Sequence, residues 1–275
     1  MTSIRHPWAA HCRATTSTIL AELLSRWKRL LIVLGWLVLW QAASWWVDEP
    51  VVLAGPLEAL AALGTMGRTA AFWQTVLFTG LRIAGGFLLA FAAGAGLGAA
   101  SVRCPLLADL LAPAVTAMKS VPVVCFVILA LVWVGSDQLT FVIVFVIVFP
   151  ILYVQTREGL GRVDGALLEM ARVFRMNGWR RARYLYLPAL MPSLTSGCQL
   201  ALGLSWKSGV AAEVIGTPLH SIGQELYFAK IYLEIDQLFA WTFVIILLSL
   251  AFERLFLALL GRVGRALEGT DDLRM

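Results

Sequence analysis

Charge is scarce in this chain: Asp, Glu, Lys and Arg make up 14% of its 275 residues, against roughly 25% in ordinary soluble domains. Histidine is scarcer, with three in all. Two of them, His6 and His11, stand beside Cys12 in the polar N-terminal segment, a grouping that reads as a tail rather than a metal site. The four cysteines, Cys12, Cys104, Cys125 and Cys198, form no C-x-x-C pair and have no histidine at ligand spacing, so they read as small apolar packers or cytosolic thiols. There is no G-x-x-x-x-G-K-[ST] phosphate loop, no H-E-x-x-H and no Ser/His/Asp grouping on one side of a membrane. Catalysis by this chain, and a metal or cofactor bound to it, are therefore not expected.

What the chain does hold is apolar residues: 60% are hydrophobic and the mean hydropathy is +0.81, far above the roughly 45–50% apolar share of soluble domains. Several runs reach the ~17–25 residues that a helix needs to cross the hydrocarbon core. Spans are expected at 29–47, 76–100, 111–133, 138–157, 190–212 and 237–257, an all-α polytopic membrane protein. Pro105, Pro113 and Pro122 punctuate the third, and Lys119 lies inside it. Broken helices persist at membrane depth only where they pack in protein or line a cavity, which puts this segment at a pathway. Ala42-Ala43-Ser44 resembles a cleavage site, but Trp45-Trp46 follows directly and reads as an interfacial anchor.

The net charge of +5 does not describe a nucleic-acid surface, because the charges alternate with the apolar runs and so report topology. Arg5, Arg13, Arg26, Lys28 and Arg29 precede the first span, Arg103 follows the second, Arg157 and six further arginines follow the fourth, and Arg262, Arg265 and Arg274 close the chain. The alternate loops are acidic: Asp48, Glu49 and Glu58 against Arg68, then Asp137, then Glu225, Glu234 and Asp236 against Lys230. Both termini are thus expected in the cytoplasm. The organisation is a tail over 1–28, a transmembrane domain over 29–262 with a cytoplasmic loop at 158–189, and a tail over 263–275. In the second span Gly94 and Gly98 are four apart, with Gly86 two turns earlier, a spacing that lets helix backbones approach closely in lipid.

The six arginines Arg162, Arg172, Arg175, Arg180, Arg181 and Arg183 form an island. Val163, Leu167, Met170, Ala171 and Phe174 recur there at helical spacing, Asp164 is placed to N-cap the helix, and Glu169 and Arg172 are spaced as an i,i+3 pair. Asn177-Gly178 signals a turn, since both residues tolerate positive φ. A second short helix, WRRARYLYL, runs to Pro188, which ends or kinks it. A topogenic loop or a lipid patch needs arginines but neither a turn nor a paired helix; a docking hairpin needs all of them.

These residues resemble the permease subunits of bacterial ABC importers, whose cytoplasmic loop carries E-A-A-x-x-x-G and, further on, a hydrophobic-Pro pair. Glu169-Met170-Ala171 matches E-A-A with one substitution, and Leu187-Pro188 stands where the closing pair belongs. Arg175 occupies the glycine position and Gly178 follows three residues later, so a shifted or reshaped turn is expected. The resemblance runs from about Gln74 to Arg262. It is strongest to the nitrate, taurine and aliphatic-sulfonate group, through MKSVPVVCFVILALVWVG and LGLSWKSGVAAEVIG. It implies a type I ABC importer permease fold in a bacterial inner membrane, with a second permease subunit (a second copy), a cytoplasmic ATPase dimer that uses ATP and Mg, an extracytoplasmic solute-binding protein, and surrounding lipid. Glu169, Met170, Ala171, Arg175 and Gly178 would meet the ATPase, and Leu187 and Pro188 would set the hairpin's angle to the fifth span.

Two lysines lie within expected spans. Lys207, and Lys119 beside Ser120 and Pro122, would together draw a small anion such as a sulfonate, taurine or nitrate into a shared cavity. The other reading is that Lys119 snorkels and Lys207 pairs with Glu213. Arg82 and Glu213, near span ends, read as interface anchors or structural pairs. A rival for the whole chain is an ATP-independent secondary transporter or channel, which internal inverted repeats would favour; none is visible.

Overall fold

The computed structural model describes residues 27–28, 31–49 and 51–268. The expectations placed on His6, His11 and Cys12 and on the terminal arginines Arg5, Arg13, Arg26, Arg29 and Arg274 lie outside them. Of the described residues, 88% are helical and none lies in a strand. The helices are α1 (Leu31–Val47), α2 (Pro56–Met66), α3 (Ala70–Arg103), α4 (Pro105–Ser120), α5 (Val123–Gly161), α6 (Gly165–Val173), α7 (Gly178–Arg181), α8 (Leu187–Gly216), α9 (Ile222–Ile231) and α10 (Ile235–Glu268).

Three of these, α3, α5 and α10, are long and apolar enough to cross a membrane by length and composition. At 30 residues α8 is also long enough, and α1 is a shorter apolar helix. The third expected span is corrected: 111–133 is not one helix. Pro122 has no N–H to continue a ladder, and α4 therefore stops at Ser120 while α5 starts at Val123 with Pro122 as its N-cap. From there α5 passes a kink at Gly135 (φ 72°, ψ 179°) into the fourth expected span. At the other end of the chain α10 continues to Glu268, into the segment assigned to the C-terminal tail.

The core lies where α3 and α8 both pack against α5, meeting at Val144, which lies against Gly86 of α3 and Gly209 of α8. Ile83, Phe87, Val144, Val148, Leu152 and Leu202 are fully buried in it. α5 buries 56% of its most apolar window and α10 only 6%, so α5 is the central rod and α10 a peripheral one. The glycine ladder is a packing device, as its spacing implies. A Cβ on Gly94 would stand 2.9 Å from the Leu152 Cβ, and one on Gly98 would stand 2.8 Å from the Tyr153 carbonyl oxygen. The same interface is pinned by the Tyr153 hydroxyl donating to Ser101 at 3.0 Å.

Candidate functional site

The arginine island folds as a helical hairpin. Asp164 caps α6, its carboxylate accepting from the Ala166 N–H at 2.9 Å. The turn after α6 is not at Asn177-Gly178. Arg175 takes the left-handed conformation, with φ 49°, its N–H donates to the Arg172 carbonyl at 3.0 Å, and the Met176 N–H reaches back to the Ala171 carbonyl at 2.9 Å. This paired closure is the one a glycine usually makes at a helix C-terminus. Asn177 is instead the N-cap of α7, accepting from the Arg180 N–H at 3.0 Å. The turn is therefore unshifted, and Arg175 adopts the geometry of the glycine it stands in for.

The second correction concerns Pro188, which does not end the helix. Between α7 and α8 the chain makes a π-helical segment over Ala182–Tyr186, and Pro188 sits in the first turn of α8. A proline ring collides with the carbonyl four residues back in an α-helix; the wider π turn removes that collision at Tyr184. The hairpin's second arm and α8 thus form one continuous helical run. Arg162 donates to Ser193 at 3.2 Å and Gly159 packs against Leu190, fixing the loop's base to α8.

Of the residues expected to meet an ATPase, Glu169, Met170, Arg175 and Gly178 are exposed; of the pair expected to set the hairpin's angle, Pro188 is exposed and Leu187 half-buried. Ala171 is buried instead, the one buried residue of α6: it packs inside the chain and presents nothing outward. Glu169 and Arg172 form no ion pair within 4.0 Å; among the described residues an ion pair joins Arg82 to Asp137 at 3.7 Å. Apolar side chains missed by the reading of helical spacing complete the outer face: Val173 is 79% exposed and Trp179 66%, beside Phe174 at 73%. Exposed apolar side chains beside exposed Arg172, Arg175 and Arg180 make this an apolar and basic outer face.

Lys119 and Pro122 are exposed at the α4–α5 break, and Lys207 is exposed on α8. Lys207 shares one side of α8 with exposed Ser196, Leu200 and Ala211 and half-buried Gly203, whereas Ser205, Trp206, Ser208 and Gly209 are buried. The pairing of Lys207 with Glu213 does not occur, because six residues along a helix turns the two side chains about 120° apart. Glu213 is wholly buried and takes its hydrogen bonds from Thr79, Thr140 and Gly223. Arg82 is a structural tie, donating from both terminal nitrogens to the Leu219 carbonyl at 3.4 Å. On α9, burial together with the neighbouring Glu234 raises the Glu225 carboxyl above its usual range, and His220 opposes the shift. Among the described residues no cluster of His, Cys, Asp and Glu could hold a metal ion.

An all-α bundle with three helices apolar enough to cross a membrane, and an exposed helical hairpin running without a break into the long helix α8, has the architecture of a polytopic membrane protein that carries an outward-facing hairpin. The sequence profile described as "Binding-protein-dependent transport system inner membrane component" matches residues 86–265. This chain belongs to that family: it is a membrane-spanning permease subunit of an ATP-driven ABC importer, a multi-pass inner-membrane protein that works with an ATPase and a binding protein. It is 27% identical over 210 residues to the putative aliphatic sulfonates transport permease protein of Escherichia coli, covering 74% of this chain and 77% of that one. It is 30% identical over 209 residues to the bicarbonate transport system permease protein of Synechococcus elongatus, covering 70% and 72%. A chain of the inward-facing MetNI methionine ABC transporter superposes with a TM-score of 0.49 at 19% identity, over 71% of this chain and 93% of that one.

Proposed function

We propose that two copies of this chain enclose a pathway for a small anion such as a sulfonate, taurine or nitrate, with both termini in the cytoplasm and the hairpin seated on the ATPase. The observation that carries the anion is Lys207. It is a cation on a membrane-crossing helix, exposed among small and apolar neighbours and without a hydrogen bond or ion pair among the described residues. An unpaired charge at such depth costs a few kcal/mol unless it faces water or an opposite charge, and a cavity between two copies supplies both. Lys119 and Pro122, at the break between α4 and α5, line the same pathway. Relatives named for sulfonate and bicarbonate transport support an anion. Glu169, Met170, Arg175 and Gly178, with exposed Val173, Phe174 and Trp179, form the ATPase-docking face; Ala171 holds it from within, and Leu187 and Pro188 join it to α8. The chain has no catalytic site and no cofactor of its own, and ATP and Mg are bound by the partner ATPase. The organisation is a transmembrane domain over 29–262 with the coupling loop at 158–189, between tails at 1–28 and 263–275.

The test is co-purification followed by uptake. With the candidate ATPase and binding protein co-expressed, wild-type chain retains the ATPase and Glu169→Arg loses it. In proteoliposomes Lys207→Ala lowers ATP-driven anion uptake about tenfold or more, the scale of focusing by one sign of charge in a cleft. Uptake that persists without ATP would overturn the coupling role, and unchanged uptake of every anion by Lys207→Ala would remove Lys207 from the pathway.

A further inference from the structure

Glu213 has 0% exposure near the far end of α8. A carboxylate taken out of water must be satisfied by hydrogen bonds, and here every donor belongs to another element. Thr79 of α3 donates to its Oε2 at 2.9 Å, and Thr140 of α5 donates to its Oε1 at 3.4 Å. The Gly223 N–H, in the first turn of α9, donates to Oε2 at 3.2 Å. Thr79 also accepts from the Ile222 N–H at 2.9 Å, so two of the N–H groups that a helix leaves unpaired at its start end on this one knot. Gly223 permits the approach: a Cβ there would overlap the Glu213 Cβ and the α8 backbone.

The knot does more than satisfy a charge, because of what lies at the other end of its helix. α8 has 30 residues, which at 1.5 Å per residue is ~45 Å. The hairpin joins its first turn, and Glu213 stands in its last. The corner beyond, from Thr217 to Ser221, holds two left-handed residues, Thr217 (φ 44°) and His220 (φ 56°). Arg82, through the Leu219 carbonyl and Asp137, ties that same corner back to α3 and α5.

We propose that Glu213 is the positioning residue through which displacement of the hairpin reaches the opposite side of the membrane. α8 is the rod, and the carboxylate locks its far end to α3, α5 and the start of α9, so that the corner and α9 move with the rod as a gate. The proposal rests on the chain's role as the driven permease subunit, and its test separates the two. Complexes with ATPase and binding protein are purified, checked for ATPase association, reconstituted, and assayed for solute moved per ATP hydrolysed.

Glu213→Ala removes the acceptor for three donors and is expected to lower solute moved per ATP about tenfold, within the range of site-to-site coupling energies, with the ATPase still bound. Glu213→Gln keeps a carbonyl oxygen for Thr79 and Gly223 and is expected to restore the ratio to within about threefold of wild type. Thr79→Val, close in shape, serves if Glu213→Ala does not assemble, and is expected to lower the same ratio. A role confined to folding would reduce uptake and hydrolysis in proportion, leaving the ratio at its wild-type value, and that result overturns the proposal. Loss of the ATPase from wild-type complexes would instead strike at the hairpin.

Discussion

Arg175 sits where the loop reverses, with φ 49° and both backbone bonds of a glycine-type closure in place. A side chain in the left-handed region costs about 1–2 kcal/mol through contact of Cβ with the following carbonyl. Arg175→Gly is therefore expected to stabilise the end of α6 by about 1 kcal/mol, slowing amide exchange at Met176 by roughly fivefold. Unchanged exchange would mean that the guanidinium offsets the strain elsewhere. Residue types place this turn at Asn177-Gly178, because they report which residues tolerate positive φ and not which one the closure demands. The Ala171 and Arg172 carbonyls at the end of α6 set that demand, and they select Arg175. Glu213 escapes a sequence reading for a related reason: Thr79 is 134 positions away and Thr140 is 73, and only the fold brings them to one carboxylate.

Between elements, the α3–α5 interface is the most legible part of the fold, since glycines at 86, 94 and 98 share one helical face. Its prediction is a contrast between two glycines of one helix. Gly94→Ala forces a methyl to 2.9 Å from Leu152 and is expected to destabilise the bundle by about 1–3 kcal/mol, as overpacking does. Gly96→Ala meets nothing within 4 Å and is expected to be neutral or slightly stabilising, since alanine is the better helix former. Thermal unfolding in detergent separates the two; equal shifts would show that the interface relaxes at no cost. Helix ends were less legible than helix middles. Hydropathy locates the hydrocarbon-crossing middle, whereas α3, α8 and α10 extend past it until a cap or a loop stops them. The break at Pro122 is visible in the sequence as proline, whereas the bend of α5 at Gly135, where φ is 72°, is not, because a glycine inside an apolar run permits a positive φ without requiring it.

The whole molecule is a central helix, α5, packed by α3 and α8, with much of its apolar surface turned outward. Trp133 and Val132 on α5 are each 78% exposed, an apolar surface suited to lipid. Against this bundle the arginine hairpin projects in one direction, and that direction is set by the Ala182–Tyr186 segment. A π turn is an α-helix with one surplus residue, so this segment is a phase adjuster in a screw: everything before it is rotated relative to everything after it. Removing Leu185 would restore plain α-helix and swing the hairpin by about 100° around the α8 axis, at the price of a collision at Pro188. The shortened chain is expected to insert and pack its membrane helices as before, yet to pull down no ATPase, because Trp179 and Phe174 would point to the wrong bearing. A chain shortened there that still held its ATPase would show that the bearing is chosen by the partner. Otherwise the aim of the drive train is written into a single surplus residue.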